Sequence, residues 1–158
     1  MQIVFAIDPG PIESGYVVMR GDVISKHGII PNPALKILLW DFQFQPTIVA
    51  IEMIACYGMA VGAEVFETCL WIGEFRGYMR PRRPVTLCYR KDIKLHLCGT
   101  TKAKDANVRQ ALIDRLGPPG TKKNPGPTYG IRSHVWSALA VAVYAADQQA
   151  KLTNHPTT

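Results

Sequence analysis

Short apolar runs rich in β-branched residues alternate along this chain with segments of helical periodicity. The first three runs predict strands at Gln2–Ile7, Gly15–Met19 and Val23–Ile30. The dipeptide Gly21-Asp22 separates the second run from the third and is typical of a hairpin turn. Because short turns join these runs, the pattern predicts an antiparallel meander at the start of the fold.

The remainder of the chain alternates helices with two further strands. Apolar positions at helical spacing after Pro33, which suits a first turn, predict a helix at Pro33–Phe42. The other predicted strands are Thr47–Ile51 and Pro84–Tyr89, and the other predicted helices are Val61–Met79, Arg90–Leu97, Lys102–Leu116 and Ser133–Ala150, with Ser133 as N-cap. This order predicts an α/β fold with a five-stranded mixed sheet flanked by helices.

The chain of 158 residues is short enough for one domain, which we assign to residues 1–150. Residues 117–130 contain four Gly and four Pro, so they are predicted to form a loop of the length that is often functional. The polar tail at 151–158 is expected to be disordered.

Positive charge is concentrated in one part of the sequence. Residues 76–132 hold 14 of the 18 Lys and Arg but three of the 12 acids, so this segment carries +11 and the remainder −5. A basic segment beside an acidic site fits a polyanionic substrate drawn to a metal centre, and a solvated basic surface is the alternative.

The four cysteines form no CxxC pair and have no His at zinc-finger spacing, which favours buried free thiols in a reducing compartment. The N-terminus has no signal-peptide pattern, and no apolar run reaches the ~20 residues of a membrane span. These features predict a soluble cytoplasmic protein.

Isolated carboxylates follow two of the apolar strands. Asp8 ends the first run and Glu52 ends the fourth. The last helix begins with His134 and Ser137, whose i, i+3 spacing puts both on one face. Either acid alone would be explained as a turn former or a strand-end charge, but the set suggests a metal-ion site for phosphoryl transfer.

Three motifs in order, IDPGPIESGYVV, IVAIEMI and SHVWSALAVAVYA, resemble the RuvC family of Holliday junction resolvases, within the ribonuclease H-like superfamily. The resemblance extends from Ile3 to about Ala146, and the short tail favours a phage-type member. It implies a ribonuclease H-like fold and a homodimeric, Mg²⁺-dependent endonuclease that resolves four-way DNA junctions in the bacterial or phage-infected cytoplasm. Helix Val61–Met79 is a candidate for part of the dimer surface.

The resemblance also implies two Mg²⁺ ions per site, for which Mn²⁺ can substitute. Asp8 would bridge both ions and Glu52 would hold one, while His134 would be a ligand or would orient the attacking water. Ser137 stands where the family has Asp, and a neutral hydroxyl is a poor Mg²⁺ ligand. Three possibilities stay open: a weakened or deliberately altered enzyme, a catalytically inactive junction-binding protein, or a related nuclease acting on other branched DNA.

Further residues match positions that contact DNA in the family. Lys94 and Lys104 correspond to basic residues near the scissile backbone. Ala55 takes the place of a wedge Phe, so Tyr57 and Met59 either stack on a base step or pack beneath the following helix. The candidate phosphate contacts are Arg76, Arg80, Arg82, Arg83, Arg90 and Lys91.

Overall fold

A computed structural model describes residues 1–42, 48–81 and 83–154. Five strands form one mixed sheet in the order β3-β2-β1-β4-β5. They are β1 (Ile3–Asp8), β2 (Glu13–Arg20), β3 (Val23–Pro31), β4 (Ile48–Met53) and β5 (Val85–Tyr89). Strands β1 to β3 are antiparallel neighbours, whereas β4 pairs in parallel with both β1 and β5. The predicted meander and mixed sheet are confirmed, although Thr47 lies outside the described residues.

Five helices accompany the sheet within the described residues: α1 (Asn32–Phe42), α2 (Ala63–Met79), α3 (Arg90–Cys98), α4 (Asp105–Leu116) and α5 (His134–Asn154). Helix α4 begins three residues later than predicted. Helix α5 continues four residues past its predicted end, so residues 151–154 are helical and do not belong to a disordered tail. Residues 155–158 lie outside the described part.

The alternation of side chains along the strands builds two separate cores. In β1, Val4 and Ala6 point to the face covered by α3, α4 and α5, while Phe5 and Ile7 point to the face covered by α1 and α2. Strand β4 repeats this pattern, because Ile48 and Ala50 share the first face. The result is a three-layer arrangement in which the even-numbered positions of β1 and β4 face α5.

Helix α5 lies against the centre of the sheet and is buried over most of its length. Small side chains such as Ala138 and Ala142 allow the helix backbone to approach the strands closely. Ser133 has a φ of 45°, which differs from the extended backbone of an N-cap, so the predicted capping role is wrong. The helix start is instead continuous with a turn in which the Val135 N–H donates to the Arg132 carbonyl.

The Gly- and Pro-rich loop at 117–130 is held by its own hydrogen bonds. Gly120 and Pro125 form an isolated bridge, and the Thr128 hydroxyl, which is buried, donates to the Gly117 carbonyl over 2.8 Å. The four cysteines are free thiols, but only Cys88 is buried, and Cys56 is exposed, so its predicted burial is wrong. No helix within the described residues is long and apolar enough to cross a membrane.

Candidate active site

Two carboxylates meet at one edge of the sheet because of strand register. Ile7 pairs with Ile51 in the parallel β1–β4 ladder, so the next residues, Asp8 and Glu52, emerge side by side. Both occupy even-numbered positions and therefore face α5. Their side chains are only 14% exposed, and they line a cleft of about 220 Å³ that Tyr57 and Arg90 also border.

The loop that follows Asp8 is fixed by two buried polar side chains. Ser14 accepts a hydrogen bond from the Gly10 N–H over 3.2 Å and donates to Asn32 Oδ1. Asn32 in turn donates from Nδ2 to the Gly10 carbonyl over 2.9 Å. Because Ser14 and Asn32 are buried and satisfied, the network holds the chain where it leaves β1 and so helps to fix the position of Asp8.

The first residue of α5 reaches back to Asp8. His134 Nδ1 lies 2.9 Å from Asp8 Oδ2. The approach depends on Gly15 on β2. This residue pairs with Asp8 on β1 and lies directly under the start of α5. A Cβ at Gly15 would fall 2.7 Å from the His134 carbonyl oxygen, which is closer than a backbone contact allows. The glycine therefore sets the spacing between the sheet and the His134 side chain.

Gly15→Ala is accordingly expected to lower the free energy of unfolding by about 1–3 kcal/mol, because the first turn of α5 must move away from the sheet. Chemical denaturation measures this loss. Gly77→Ala is the matched control: a Cβ at this helical position meets nothing within 4 Å. It is expected to be neutral or to stabilise by up to about 1 kcal/mol. Equal effects of the two substitutions would show that Gly15 is not a spacer.

Arg90 connects the site to three elements. Its Nε lies 3.6 Å from Glu52 Oε1 on β4, its Nη1 donates to Ser137 Oγ on α5 over 3.2 Å, and its Nη2 donates to Asp105 Oδ1 on α4 over 3.2 Å. Predicted only as a phosphate contact, Arg90 lies instead inside the carboxylate site. Asp105 was not predicted as a site residue, because a single acid within the predicted helix Lys102–Leu116 gave no signal of this contact.

Ser137, at the position where an acid was expected, takes part in the same network. Its hydroxyl accepts from Arg90 Nη1, and its interaction with Asp8 opposes the rise that burial causes in the pKa of that carboxyl. Lys94 approaches from α3, with its Nζ 3.8 Å from Asp105 Oδ1. A hydroxyl and two cations thus border the Asp8–Glu52 pair on this side.

Burial makes both carboxyl groups harder to ionise. Desolvation raises the pKa of Asp8, although the hydrogen bond and charge of His134 and the charge of Arg90 act in the opposite direction. Desolvation, followed by the charge of Asp8, raises the pKa of Glu52 to about 7. A nearby positive charge would therefore stabilise the ionised form of both carboxyl groups, and Arg90 supplies only part of that stabilisation.

The site fits a divalent cation held largely through water. Glu52 Oε2 is buried without a hydrogen-bond partner, although most buried polar atoms have one. Among the described residues, no group of three or more His, Cys, Asp or Glu side chains is arranged to hold a metal ion. Mg²⁺ nevertheless often binds proteins through one or two carboxylates and keeps several water ligands, and Asp8 and Glu52 supply that set.

The structure brings some of the predicted basic residues to the site. Lys94 is partly buried beside Asp105, and Lys91 is exposed and lines a neighbouring cleft with Tyr57 and Arg90. Lys104 is exposed immediately before α4, and its backbone N–H donates to Asn107 Oδ1. Lys91 and Lys94 thus lie beside the site on the side of α3, and Lys104 directly precedes Asp105 at the start of α4.

The arginines between α2 and β5 are not brought to the site. Arg76, Arg80 and Arg83 lie at the C-terminal end of α2, just before β5 begins. Because β4 and β5 are parallel, the start of β5 is at the opposite edge of the sheet from Glu52, which pairs with Cys88 near the end of β5. Arg82, the remaining predicted contact of this group, lies outside the described residues.

The loop after β4 presents two apolar side chains to solvent. Tyr57 and Met59 are 63% and 73% exposed, so they do not pack beneath α2. Tyr57 has a φ of 46° and is followed by Gly58 with a φ of 82°, and the turn is closed by a hydrogen bond from the Met59 N–H to the Cys56 carbonyl. A left-handed backbone is uncommon for a residue other than glycine, and here it holds Tyr57 at the rim of the carboxylate cleft.

The arrangement of strands and helices is similar to that of RuvC from Thermus thermophilus. A solved structure of that protein has a TM-score of 0.70 and 21% sequence identity over 95% of this chain and 96% of that chain. T. thermophilus RuvC in complex with a Holliday junction substrate has a TM-score of 0.68 and 18% identity with the same coverage. The chain matches no protein-family model and no curated protein sequence. The similarity of the solved structures confirms the predicted fold: the chain has the ribonuclease H-like α/β fold of RuvC.

Proposed function

We propose that this protein is a Mg²⁺-dependent, structure-selective DNA endonuclease that resolves four-way junctions. The observation that carries the proposal is the convergence of Asp8 and Glu52, whose side chains are both 14% exposed, beside the start of α5. The fold shared with RuvC, including RuvC solved with a Holliday junction substrate, supports the choice of branched DNA as substrate. The remaining features of the proposal, a phage-type member acting in the cytoplasm, come from the sequence resemblance.

Asp8 and Glu52 would hold the divalent metal, which when bound supplies the charge that activates water and stabilises the leaving oxygen during hydrolysis of a phosphodiester. The raised pKa of Glu52 and the orphaned Oε2 atom support this role, because both disfavour the site without a cation. The resemblance implies two ions per site. Arg90, which contacts both Glu52 and Ser137, bears directly on that number.

His134 is suited to orienting the attacking water. When Nδ1–H donates to Asp8, the other ring nitrogen, Nε2, can accept a hydrogen bond and then a proton. The 64% exposure of the His134 side chain leaves it accessible to a bound substrate. Asp8 would then serve the site twice, as a metal ligand and as the group that fixes the imidazole tautomer.

DNA would approach over the basic rim of the site. Lys94 and Lys104 would neutralise the phosphates beside the scissile bond, and Lys91 the next ones along the strand. Tyr57 and Met59, both exposed next to the cleft, would stack on an opened base step at the junction centre. Contacts with the outer arms remain a prediction for Arg76, Arg80, Arg82 and Arg83.

Ser137 leaves an alternative from another class, a catalytically inactive protein that binds junctions. The hydrogen bond of Ser137 with Arg90 favours this alternative, since it occupies the position at which a further acid would bind metal. A labelled four-way junction incubated with Mg²⁺ or Mn²⁺ separates the two, using this chain and its Ser137→Asp variant. A third possibility, a nuclease specific for other branched DNA, is tested with forks and flaps in the same assay.

We expect paired nicks near the junction centre with either metal, and weaker cleavage of forks and flaps. Cleavage that appears only in the Ser137→Asp variant would place the chain with altered resolvases whose acid is missing. Tight junction binding by both proteins with cleavage by neither would contradict the enzyme proposal and favour the inactive binder.

Two symmetric nicks require two sites, so we propose a homodimer that uses the exposed side of α2. Phe66 and Leu70, one helical turn apart, are 60% and 64% exposed, and such apolar surface is often covered by a partner. Leu70→Glu is expected to convert dimers into monomers in light scattering coupled to gel filtration. Leu152→Glu is the control, because Leu152 is also exposed but lies at the far end of α5. A Leu70→Glu protein that stays dimeric would remove α2 from the interface.

A further inference from the structure

Arg90 places a permanent positive charge where a second metal ion would be expected. Its guanidinium contacts Glu52, the second carboxylate of the site, and Ser137, the residue that stands where the resemblance predicts an acid. A second ion shared between these two positions would need the same space. A guanidinium is a delocalised positive charge with donors in a fixed planar arrangement.

We propose that the site binds one divalent ion per chain, held by Asp8 and Glu52, and that Arg90 substitutes for a second ion beside Ser137. This inference rests on the proposed nuclease function and specifies its metal requirement. It explains the serine: with Arg90 in place, the neutral hydroxyl accepts a hydrogen bond from Nη1 and needs no charge of its own.

The charges around the site also favour one divalent ion over two. Asp8 and Glu52 supply two negative charges, and Arg90 supplies one positive charge that lies 3.6 Å from Glu52. Asp105 is 76% exposed and already paired with Arg90 and Lys94, so it offers little further compensation. One divalent ion leaves this group with a small net charge, whereas two ions would leave a large uncompensated positive charge in a partly buried site.

Arg90 is also held too firmly to swing aside without loss. Its three guanidinium nitrogens contact three different elements, β4, α4 and α5, and its side chain is 30% exposed. Such a fixed fork is typical of an arginine that positions other groups. Displacement by an ion would break all three contacts, and the ion would gain only one carboxylate and one hydroxyl in return.

The test is the number of Mn²⁺ ions bound per full-length chain, measured by titration calorimetry and by the electron paramagnetic resonance signal of free Mn²⁺. We expect one ion for the unaltered chain and none at this site for Asp8→Asn. Arg90→Gln removes the repulsion and is expected to tighten binding of that ion by at least about tenfold. Arg90→Gln combined with Ser137→Asp is expected to bind two ions.

Lys151→Gln is the control for charge alone, because it removes one positive charge from the exposed last turn of α5, and it is expected to leave stoichiometry and affinity unchanged. Two ions in the unaltered chain, both lost in Asp8→Asn, would overturn the inference. So would a complete absence of Mn²⁺ binding, or a combined variant that folds, as judged by circular dichroism, and still binds one ion.

The result of the Mn²⁺ titration can be distinguished from the result of the junction cleavage assay. Junction cleavage together with a stoichiometry of two would refute the role of Arg90 and leave the nuclease proposal intact. A stoichiometry of one in a protein that cleaves no branched DNA would uphold the Arg90 site and refute the nuclease. The measurement of Mn²⁺ stoichiometry in the unaltered chain does not depend on the folding of any variant.

Discussion

Asp8→Asn is expected to reduce the rate of four-way junction cleavage by at least about 1,000-fold while changing junction affinity little. The substitution removes the charge that would hold the metal, and it also weakens the hydrogen bond that fixes His134. Asn keeps the size of the side chain, so the packing at the end of β1 is preserved. Affinity is expected to persist because it depends mainly on basic residues outside the carboxylate pair.

Glu52→Gln is expected to give the same result for a related reason, since Glu52 is the other buried carboxylate of the site. Asp41→Asn provides the matched control, because Asp41 is exposed on α1, on the opposite face of the sheet. Single-turnover cleavage and electrophoretic mobility shifts measure the two quantities separately. Cleavage at the original rate in either Asp8→Asn or Glu52→Gln would refute the assignment of the site.

The convergence of the two acids could be predicted because it depends only on strand order and on the two-residue period of a strand. Once β1 and β4 are parallel neighbours, residues at their carboxyl ends meet at one edge of the sheet. Asp8 and Glu52 follow strands whose apolar content is unmistakable. The position of His134 at the site came instead from the resemblance, which implies that the start of the last helix contributes to it.

The role of Arg90 could not be predicted in the same way. An arginine side chain spans several ångströms, so its position along the sequence does not determine which carboxylate it contacts. Its contact with Ser137 joins residues 47 positions apart, and its contact with Asp105 depends on where α4 begins. Gly15 was missed for a related reason: the close approach of α5 is a property of packing and leaves no local pattern.

The distribution of charge along the sequence was a weaker guide than its distribution in space. The segment 76–132 is strongly basic, yet β5 carries it from the end of the sheet opposite the carboxylates to the end at which they lie. Arg76 and Arg80 therefore lie far from the carboxylates, whereas Lys91 and Lys94 border them. A count of charges in a window cannot separate these groups, because a single strand carries the chain across the molecule.

The metal-free protein is expected to lose about 3 kcal/mol of its free energy of unfolding as the pH rises from about 4.5 to above 7. The pKa of Glu52 is raised from an ordinary value of 4.5 to about 7 in the folded chain. Between these values the folded protein keeps a proton that the unfolded protein has released, so folding becomes less favourable with rising pH. The raised pKa of Asp8 acts in the same direction.

Asp147, a partly buried carboxylate on α5, does not produce this trend. The pKa of Asp147 is lowered by its hydrogen bonds with Arg115 and His96, so its contribution is lost only in acid, below about pH 4, outside the window set by Glu52. Urea denaturation in the presence of a chelator, at intervals between pH 5 and pH 8, measures the slope. The Gln side chain of Glu52→Gln cannot ionise, so the free energy of unfolding of this variant is expected to change less with pH. The variant is therefore expected to be more stable than the parent at pH 8.

Adding Mn²⁺ at pH 8 is expected to restore the stability of the parent and to leave Glu52→Gln nearly unchanged, because the ion meets the demand for positive charge that ionised Glu52 creates. If the free energy of unfolding changed equally with pH in the parent and in Glu52→Gln, Glu52 would ionise normally in the folded protein. The electrostatic basis for metal binding at this site would then be lost, even if the two carboxylates lie side by side.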